Sequence, residues 1–109
     1  MKNDTKIHTL IDDIMKFRDA RDWAQFHDGK NLAINLSVEA GELLELFLWK
    51  AADEVDQEKL KDELADVVYS ALLLAETHGL DVAEIVRAKL VKNEAKYPVE
   101  KFKGSREKA

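Results

Sequence analysis

Four acidic residues occur as two pairs with identical spacing, Glu39-x-x-Glu42 and Glu63-x-x-Asp66. In an α-helix, residues three positions apart lie on one face, because each residue advances by about 100°. Each pair therefore presents two carboxylates side by side. Carboxylate oxygens are the ligands preferred by hard divalent cations such as Mg²⁺, Mn²⁺ and Ca²⁺. The spacing predicts a metal site formed by these four residues.

Apolar residues flank each acid pair at helical spacing. On a helical wheel with Glu39 as the origin, an apolar stripe follows at about 20–80°, and it consists of Leu32, Leu36, Leu43 and Phe47. With Glu63 as the origin, a second stripe follows at about 20–100°, made of Leu60, Leu64, Val67, Ala71 and Leu74. Both acid pairs should therefore converge at the margin of one core, where their charges need a cation.

Two alternatives compete with this metal hypothesis. Di-iron bundles use Glu-x-x-His motifs, but here Glu42 and Asp66 occupy the i+3 positions and the histidines lie elsewhere, which disfavours iron. The other alternative is that the acids are solvated helix residues with i,i+4 partners. That reading is weakened because neither Glu39 nor Glu42 has a basic residue three or four positions later.

The elements that must position these acids are predicted to be four helices in an all-α fold, since only one proline and four glycines interrupt the helical periodicity. The first helix is expected to follow Asp4 as its cap and to run to about Asp22, and the second to run from about Lys30 to Lys50. The third should run from about Glu58, capped by Asp56, to His78, with Gly79 after its end. The fourth should begin at a capping box formed by Asp81 and Glu84 and stop before Pro98. Residues 99–109 are expected to be an extended or mobile basic tail, leaving residues 1–98 as the domain.

The composition restricts the class of protein. A chain of 109 residues that is 46% hydrophobic and 36% charged is expected to fold as one domain. No apolar run approaches the roughly 20 residues of a membrane span, and no signal-peptide core is visible, so a cytoplasmic protein without a membrane partner is expected. The absence of cysteine excludes disulfides, thiolate metal sites and a cysteine nucleophile.

The charge is distributed unevenly along the chain. The net charge is −5, yet residues 87–109 carry eight basic and three acidic side chains. The acidic remainder should repel polymeric nucleic acid, whereas a small polyanion could lie between a cation held by the acids and lysines of the basic segment. Because Mg²⁺ is often bound by carboxylates together with substrate phosphates, a phosphorylated ligand is expected. The alternative is a solvated charged tail.

Aromatic side chains flank the second helix. Trp23 and His27 precede it and Trp49 ends it, so they could stack on and contact a nucleobase. The alternative for Trp23 is that it only fills the space between the first two helices.

The fourth helix carries polar residues suited to phosphate. Lys89, Asn93 and Lys96 share one of its faces, with Tyr97 beside them. Such a face is common without function, so the signal is weak alone.

Helices two and three carry more apolar residues than one packing face requires. Two apolar faces need two partners, and a second copy of the chain is the simplest one. A homo-oligomeric bundle is therefore expected, with a compact four-helix monomer as the alternative.

These residues together resemble the MazG-like family of all-α nucleoside triphosphate pyrophosphohydrolases, whose motif is Glu-x-x-Glu followed, after a spacer, by Glu-x-x-Asp. Further segments are similar to the dCTP pyrophosphatase branch: Arg21-Asp22-Trp23, Gln25-Phe26-His27, Trp49-Lys50 and Tyr97-Pro98, along with Lys89 and Asn93. The resemblance extends over about residues 10 to 98.

The resemblance implies a helical dimer or tetramer that holds Mg²⁺, with Mn²⁺ as a possible substitute, in the acid site. It also implies hydrolysis of a (deoxy)nucleoside triphosphate, dCTP or a modified dCTP, to the monophosphate and pyrophosphate, as house-cleaning of the nucleotide pool. Glu39 or Glu42 would act as base. The implied substrate contacts are Trp23, His27 and Trp49 on the nucleobase, and Lys89, Asn93, Lys96 and Tyr97 on phosphate or sugar. The alternative is a non-catalytic helical interaction module with an acidic groove.

Overall fold

The computed structural model describes residues 6–107, and within them every regular element is helical. The helices are α1 (Ile7–Ala20), α2 (Gly29–Glu45), α3 (Gln57–Thr77), α4 (Val82–Lys96) and the short α5 (Val99–Phe102), with 3₁₀ turns at Ala24–Phe26 and Ala52–Glu54. The predicted all-α fold is confirmed.

Aspartates fix where three of the helices begin. The Asp28 carboxylate accepts a hydrogen bond from the Asn31 amide at 2.8 Å at the start of α2. Asp56 does the same for the first turn of α3, and Asp81 for that of α4. Each carboxylate satisfies an amide that has no partner within the helix. The predicted caps Asp56 and Asp81 are confirmed, as is Gly79, whose φ of 66° follows the end of α3.

The predicted end of the second helix was wrong, and the first helix ends two residues before its expected bound of about Asp22. Helix α2 ends at Glu45 and not at Lys50, because the amides of Leu46 and Phe47 bond to carbonyls three residues back, at 3.3 and 3.0 Å. These bonds follow the tighter 3₁₀ pattern, so the α-helical hydrogen bonding stops here. Helix α1 ends at Ala20, and Asp22 has left the helical region with a φ of 55°. Asp4, the predicted cap of α1, lies outside the described residues.

The segment after Pro98 was predicted to be extended or mobile, but its first four residues form the helix α5. The Phe102 ring packs edge-on against Tyr97 with 5.1 Å between ring centroids. Burying these two rings against each other favours a helical turn over an extended chain. The proposed division into a domain of residues 1–98 and a tail of residues 99–109 stays a prediction.

The chain forms two compact units, one ending at Gly79 and the other beginning at Leu80. In the first unit, α2 and α3 are antiparallel neighbours, since Gly29 at the start of α2 lies against His78 at the end of α3. A Cβ on Gly29 would overlap the His78 imidazole, so any other residue at this position would require that side chain to move. Helix α1 packs on α3.

The core of the first unit is apolar and draws on all three helices. Its buried apolar side chains are Ile11, Ile14, Leu32, Leu72, Leu73 and Ala75, and Ser70 is buried with them. Leu64, predicted on the core stripe of α3, is instead 47% exposed, because the fully buried part of α3 lies further along the helix. The stripe on α3 was therefore predicted only in part.

The second unit consists of α4 and α5, and α4 buries none of its residues fully. Its apolar side chains Ile85, Val86, Leu90 and Val91 are all exposed. None of the helices within residues 6–107 combines the length and the apolar character that crossing a membrane would require.

Candidate metal centre and adjoining cavity

Three of the four predicted carboxylates converge between α2 and α3. Glu39 of α2 and Glu63 and Asp66 of α3 each offer an oxygen, and these oxygens all lie within 4.8 Å of one another. The antiparallel pairing of the helices brings the middle of α2 beside the first turns of α3. Glu39 and Glu63 are half-buried, and Asp66 is exposed. Such a group of oxygens is suited to a hard divalent cation.

The clustered charges change the acidity of two members. Desolvation, the close approach of the Glu63 carboxyl group and the neighbouring charges of Glu42 and Asp66 raise the pKa of Glu39 from 4.5 to about 7. Desolvation and the charges of Glu42 and Asp66 also raise the pKa of Glu63, although its close approach to Glu39 acts in the opposite direction. Without a positive charge between them, these carboxylates disfavour one another's ionised forms.

Two oxygens of the cluster are buried without a partner. Neither Glu39 Oε2 nor Glu63 Oε2 has a hydrogen bond among the described residues. The ion pairs present in that part of the chain, Arg18–Asp19 and Lys61–Glu58, do not involve the cluster. A buried acceptor without a donor is costly. A bound cation would satisfy both oxygens, so the residues present fit a divalent metal.

Glu42 lies beside the cluster without joining it. Its carboxylate is exposed and is not among the three that converge, yet its charge contributes to the raised pKa values of Glu39 and Glu63. Its predicted roles as metal ligand and base stay predictions.

A cavity of about 480 Å³ adjoins the carboxylates and shares Asp66 with them. It lies between α1 and α3 and is lined by Asp13, Ile14, Phe17, Trp23, Ala65, Asp66 and Tyr69. Its size falls within the range of small-molecule sites, about 300–1,000 Å³. Asp66 therefore belongs both to the candidate metal centre and to the lining of a ligand-sized cavity.

The aromatic side chains that line the cavity contact one another. The Phe17 ring contacts Trp23 and Tyr69 edge-on, with centroid distances of 5.8 and 6.5 Å. The Arg21 guanidinium lies 3.6 Å from the centre of the Phe17 ring and donates to the Phe17 carbonyl at 2.9 Å. The Gln25 amide donates to Asp22 at 3.0 and 3.1 Å, which ties down the loop carrying Trp23. These contacts hold the rings in place without a ligand.

Sequence reasoning missed three residues of this wall. Phe17, Asp13 and Tyr69 were not among the predicted site residues. Spacing could have found them, since Asp13 and Phe17 are four residues apart on one face of α1, and Tyr69 follows Asp66 by three. The sequence does not indicate that this face of α1 packs against this face of α3.

Two predicted base contacts lie outside the cavity lining. His27 is half-buried, and its Nδ1 is buried with no hydrogen-bond partner within residues 6–107. Trp49 has a φ of 64° in the turn after α2, and its side chain is 99% exposed. Of the three predicted base contacts, only Trp23 lines the cavity, and the roles of His27 and Trp49 stay predictions.

The predicted phosphate contacts lie together in the second unit. Lys89, Asn93 and Lys96 follow one face of α4, where the lysines are exposed and Asn93 is half-buried. The Lys96 ammonium lies 5.5 Å from the centre of the Tyr97 ring. Their role in binding phosphate stays a prediction.

Comparisons with known proteins agree with this architecture. The model of the MazG-like family matches residues 34–109. The dCTP pyrophosphatases 1 of Bos taurus and Mus musculus are 36% and 37% identical over 98 residues, which is 83% of this chain and 58% of each relative. The chain thus spans little more than half the length of these curated relatives.

A solved structure is similar over nearly the whole chain. The crystal structure of a pyrophosphatase from Archaeoglobus fulgidus has a TM-score of 0.79 and 35% identity, covering 90% of this chain and 97% of that one. The family match, the identity to the curated relatives and the shared fold lead to one conclusion: the chain belongs to the MazG-like family.

Proposed function

We propose that the protein is a Mg²⁺-dependent nucleoside triphosphate pyrophosphohydrolase that converts dCTP or a modified dCTP to the monophosphate and pyrophosphate. The observation that carries this proposal is the convergence of Glu39, Glu63 and Asp66, with unpartnered oxygens, at the edge of an aromatic-walled cavity. The names of the relatives, dCTP pyrophosphatase 1 and pyrophosphatase, support the same reaction. House-cleaning of a cytoplasmic nucleotide pool would be its setting.

In this proposal Glu39, Glu63 and Asp66 hold the cation. When bound, Mg²⁺ supplies neutralisation of the triphosphate charge and activation of the attacking water. Glu42, which is exposed and outside the converging group, is free to orient that water and accept its proton. Glu39 is the alternative base, provided that its carboxylate is not among those bound to the metal.

The remaining predicted residues bind the substrate. Trp23 offers its ring to the base from the cavity wall, where stacking is worth about 1–3 kcal/mol. His27 and Trp49 add contacts to the base, and the α4 face of Lys89, Asn93 and Lys96, together with Tyr97, binds phosphate or sugar.

The assembly proposed for this function is a homo-oligomer, either a dimer or a tetramer. Helix α2 exposes Ile34, Val38 and Leu44 by 51%, 52% and 62%. An uncovered apolar helix face of this kind supports association with a second copy, which would bury it.

A pyrophosphate-release assay tests the function. The protein is incubated with each canonical dNTP and with 5-substituted dCTP, in Mg²⁺, in Mn²⁺ and in excess chelator. The protein is then removed, Mg²⁺ is added in excess to every sample, and inorganic pyrophosphatase converts the released pyrophosphate to phosphate. We expect turnover with Mg²⁺, a lower or similar rate with Mn²⁺, and none with chelator. Absence of turnover with every nucleotide would reject the proposal and favour the non-catalytic interaction module.

A further inference from the structure

We infer that Asp13 selects the base, because its carboxylate accepts a hydrogen bond from the exocyclic amino group of a cytosine-type base held in the cavity. Bases with a carbonyl at that position, uracil and thymine, would be disfavoured. This inference rests on the proposed function in assuming that the cavity holds a nucleobase, and it assigns the cavity's preference to one residue outside the acid motif.

Asp13 and Asp66 bound the cavity from different helices. Asp13 lies on α1, one turn before Phe17, and Asp66 lies on α3 at the candidate metal centre. A nucleotide whose phosphates approach Asp66 and whose base lies along Trp23 would direct an edge of that base towards α1. Asp13 is the ionisable group that α1 contributes to the lining, and the metal centre does not use it.

The lining includes two acidic residues, Asp13 and Asp66, and Asp13 is the one that lies outside the candidate metal centre. Ile14, Phe17 and Ala65 offer no side-chain hydrogen bond, the Trp23 indole only donates, and the Tyr69 hydroxyl both donates and accepts. An ionised carboxylate only accepts. It therefore pairs with an amino group and repels a carbonyl oxygen, which is the difference between cytosine and uracil at position 4.

The Asp13 carboxylate is available to accept a hydrogen bond from a ligand. Within residues 6–107, the ion pairs and side-chain hydrogen bonds of α1 involve Arg18, Asp19 and Arg21, and none involves Asp13. A hydrogen bond to a charged group is worth more than a neutral one, and the solvent exposure of Asp13 limits that gain. A preference of about tenfold for the amino-bearing base is expected.

The test measures binding of dCMP and dUMP by titration calorimetry to the wild type and to two matched variants, Asp13→Asn and Asp12→Asn. Asp12 is the exposed neighbour of Asp13 on α1 and does not line the cavity. We expect the wild type and Asp12→Asn to bind dCMP about tenfold or more tightly than dUMP. Asp13→Asn should lose that ratio, because an amide can donate to the uracil carbonyl.

Three results would overturn the inference. The ratio of dCMP to dUMP affinity in Asp13→Asn could lie within about twofold of the wild-type ratio, or Asp12→Asn could lose the ratio to the same extent as Asp13→Asn. The third result is that the wild type shows no preference for dCMP, including the case in which it binds neither nucleotide measurably. Thermal melting of the three proteins shows whether each is folded. Since the monophosphates carry no pyrophosphate to release, this outcome is separate from the proposed function. If the protein hydrolyses dCTP but the ratio of dCMP to dUMP affinity is the same in Asp13→Asn as in the wild type, only the role of Asp13 is rejected. If that ratio depends on Asp13 but no nucleotide is hydrolysed, only the proposed hydrolase activity is rejected.

Discussion

The carboxylate cluster and the aromatic cavity share Asp66 but differ in how they are held. In the cavity, Phe17 packs on Trp23 and Tyr69, and every ring has a neighbour. In the cluster, the carboxylates of Glu39 and Glu63 lie half-buried among like charges, with oxygens that lack partners. The cavity wall is therefore assembled before any ligand arrives, whereas the cluster is incomplete without one.

The difference shows where the chain gives up stability for function. Aromatic contacts stabilise the fold whether or not a ligand binds. Mutually repelling carboxylates do not, and a raised carboxylate pKa is typical of functional sites. Changes in the cluster should therefore affect activity far more than folding, and changes in the cavity wall should affect both.

The largest effect is expected for Asp66→Asn, which removes a charge where the two regions meet. Turnover of dCTP should fall by about 100- to 1,000-fold, because a metal ligand is weakened. The melting temperature without Mg²⁺ should stay the same or rise, since repulsion is reduced. Steady-state kinetics and thermal melting measure both quantities. Asp62→Asn, at an exposed neighbouring position, is the control, and near-normal turnover in Asp66→Asn would remove the proposed metal centre.

A smaller effect on activity is expected for Trp23→Ala, which opens the cavity wall. Loss of one stacking surface should raise KM for dCTP by about 10- to 100-fold while kcat changes less. The melting temperature should also fall, because the Phe17 ring loses its neighbour. Phe26→Ala serves as the control, since Phe26 is 64% exposed and lies outside the lining. If both variants raise KM equally, the cavity is not the base site.

The metal-free protein should become more stable as the pH falls from about 8 to about 5.5. The folded pKa of Glu39, about 7, exceeds its ordinary value of 4.5, so the folded state binds this proton more tightly than the unfolded state does. The stabilisation is complete below about 4.5 and is lost as the pH rises through about 7. Melting in chelator should show a rise of about a few degrees. Glu39→Gln should flatten this dependence, and an unchanged slope in that variant would assign it to other groups.

The smallest effect on stability is expected for Trp49→Ala. The side chain is 99% exposed, so its removal should leave the melting temperature of the monomeric chain unchanged. If Trp49 contacts the base, KM for dCTP should nevertheless rise. Comparison with Trp23→Ala separates a ring that both supports the fold and binds from a ring that only binds. An unchanged KM would leave Trp49 without a role in substrate binding.

The acid pairs and the caps could be predicted because they depend on local geometry. Residues three apart share a helix face in any α-helix, and an aspartate such as Asp56 or Asp81 caps the turn that follows it. The early end of α2 could not be predicted in this way. Residues 46–49, which follow Glu45, are apolar and suited to a helix, yet the α-helix ends at Glu45 and the connection to α3 begins there.

Sequence alone determined the helical class, the positions of the acids along α2 and α3, and the family resemblance, because periodicity and motif spacing are properties of neighbouring residues. Tertiary structure decided that Glu39, Glu63 and Asp66 converge while Glu42 stays at the side, and that Asp13, Phe17 and Tyr69 surround a cavity with Trp23. Which faces of α1, α2 and α3 meet depends on packing between residues far apart in the chain, and helical spacing carries no record of it.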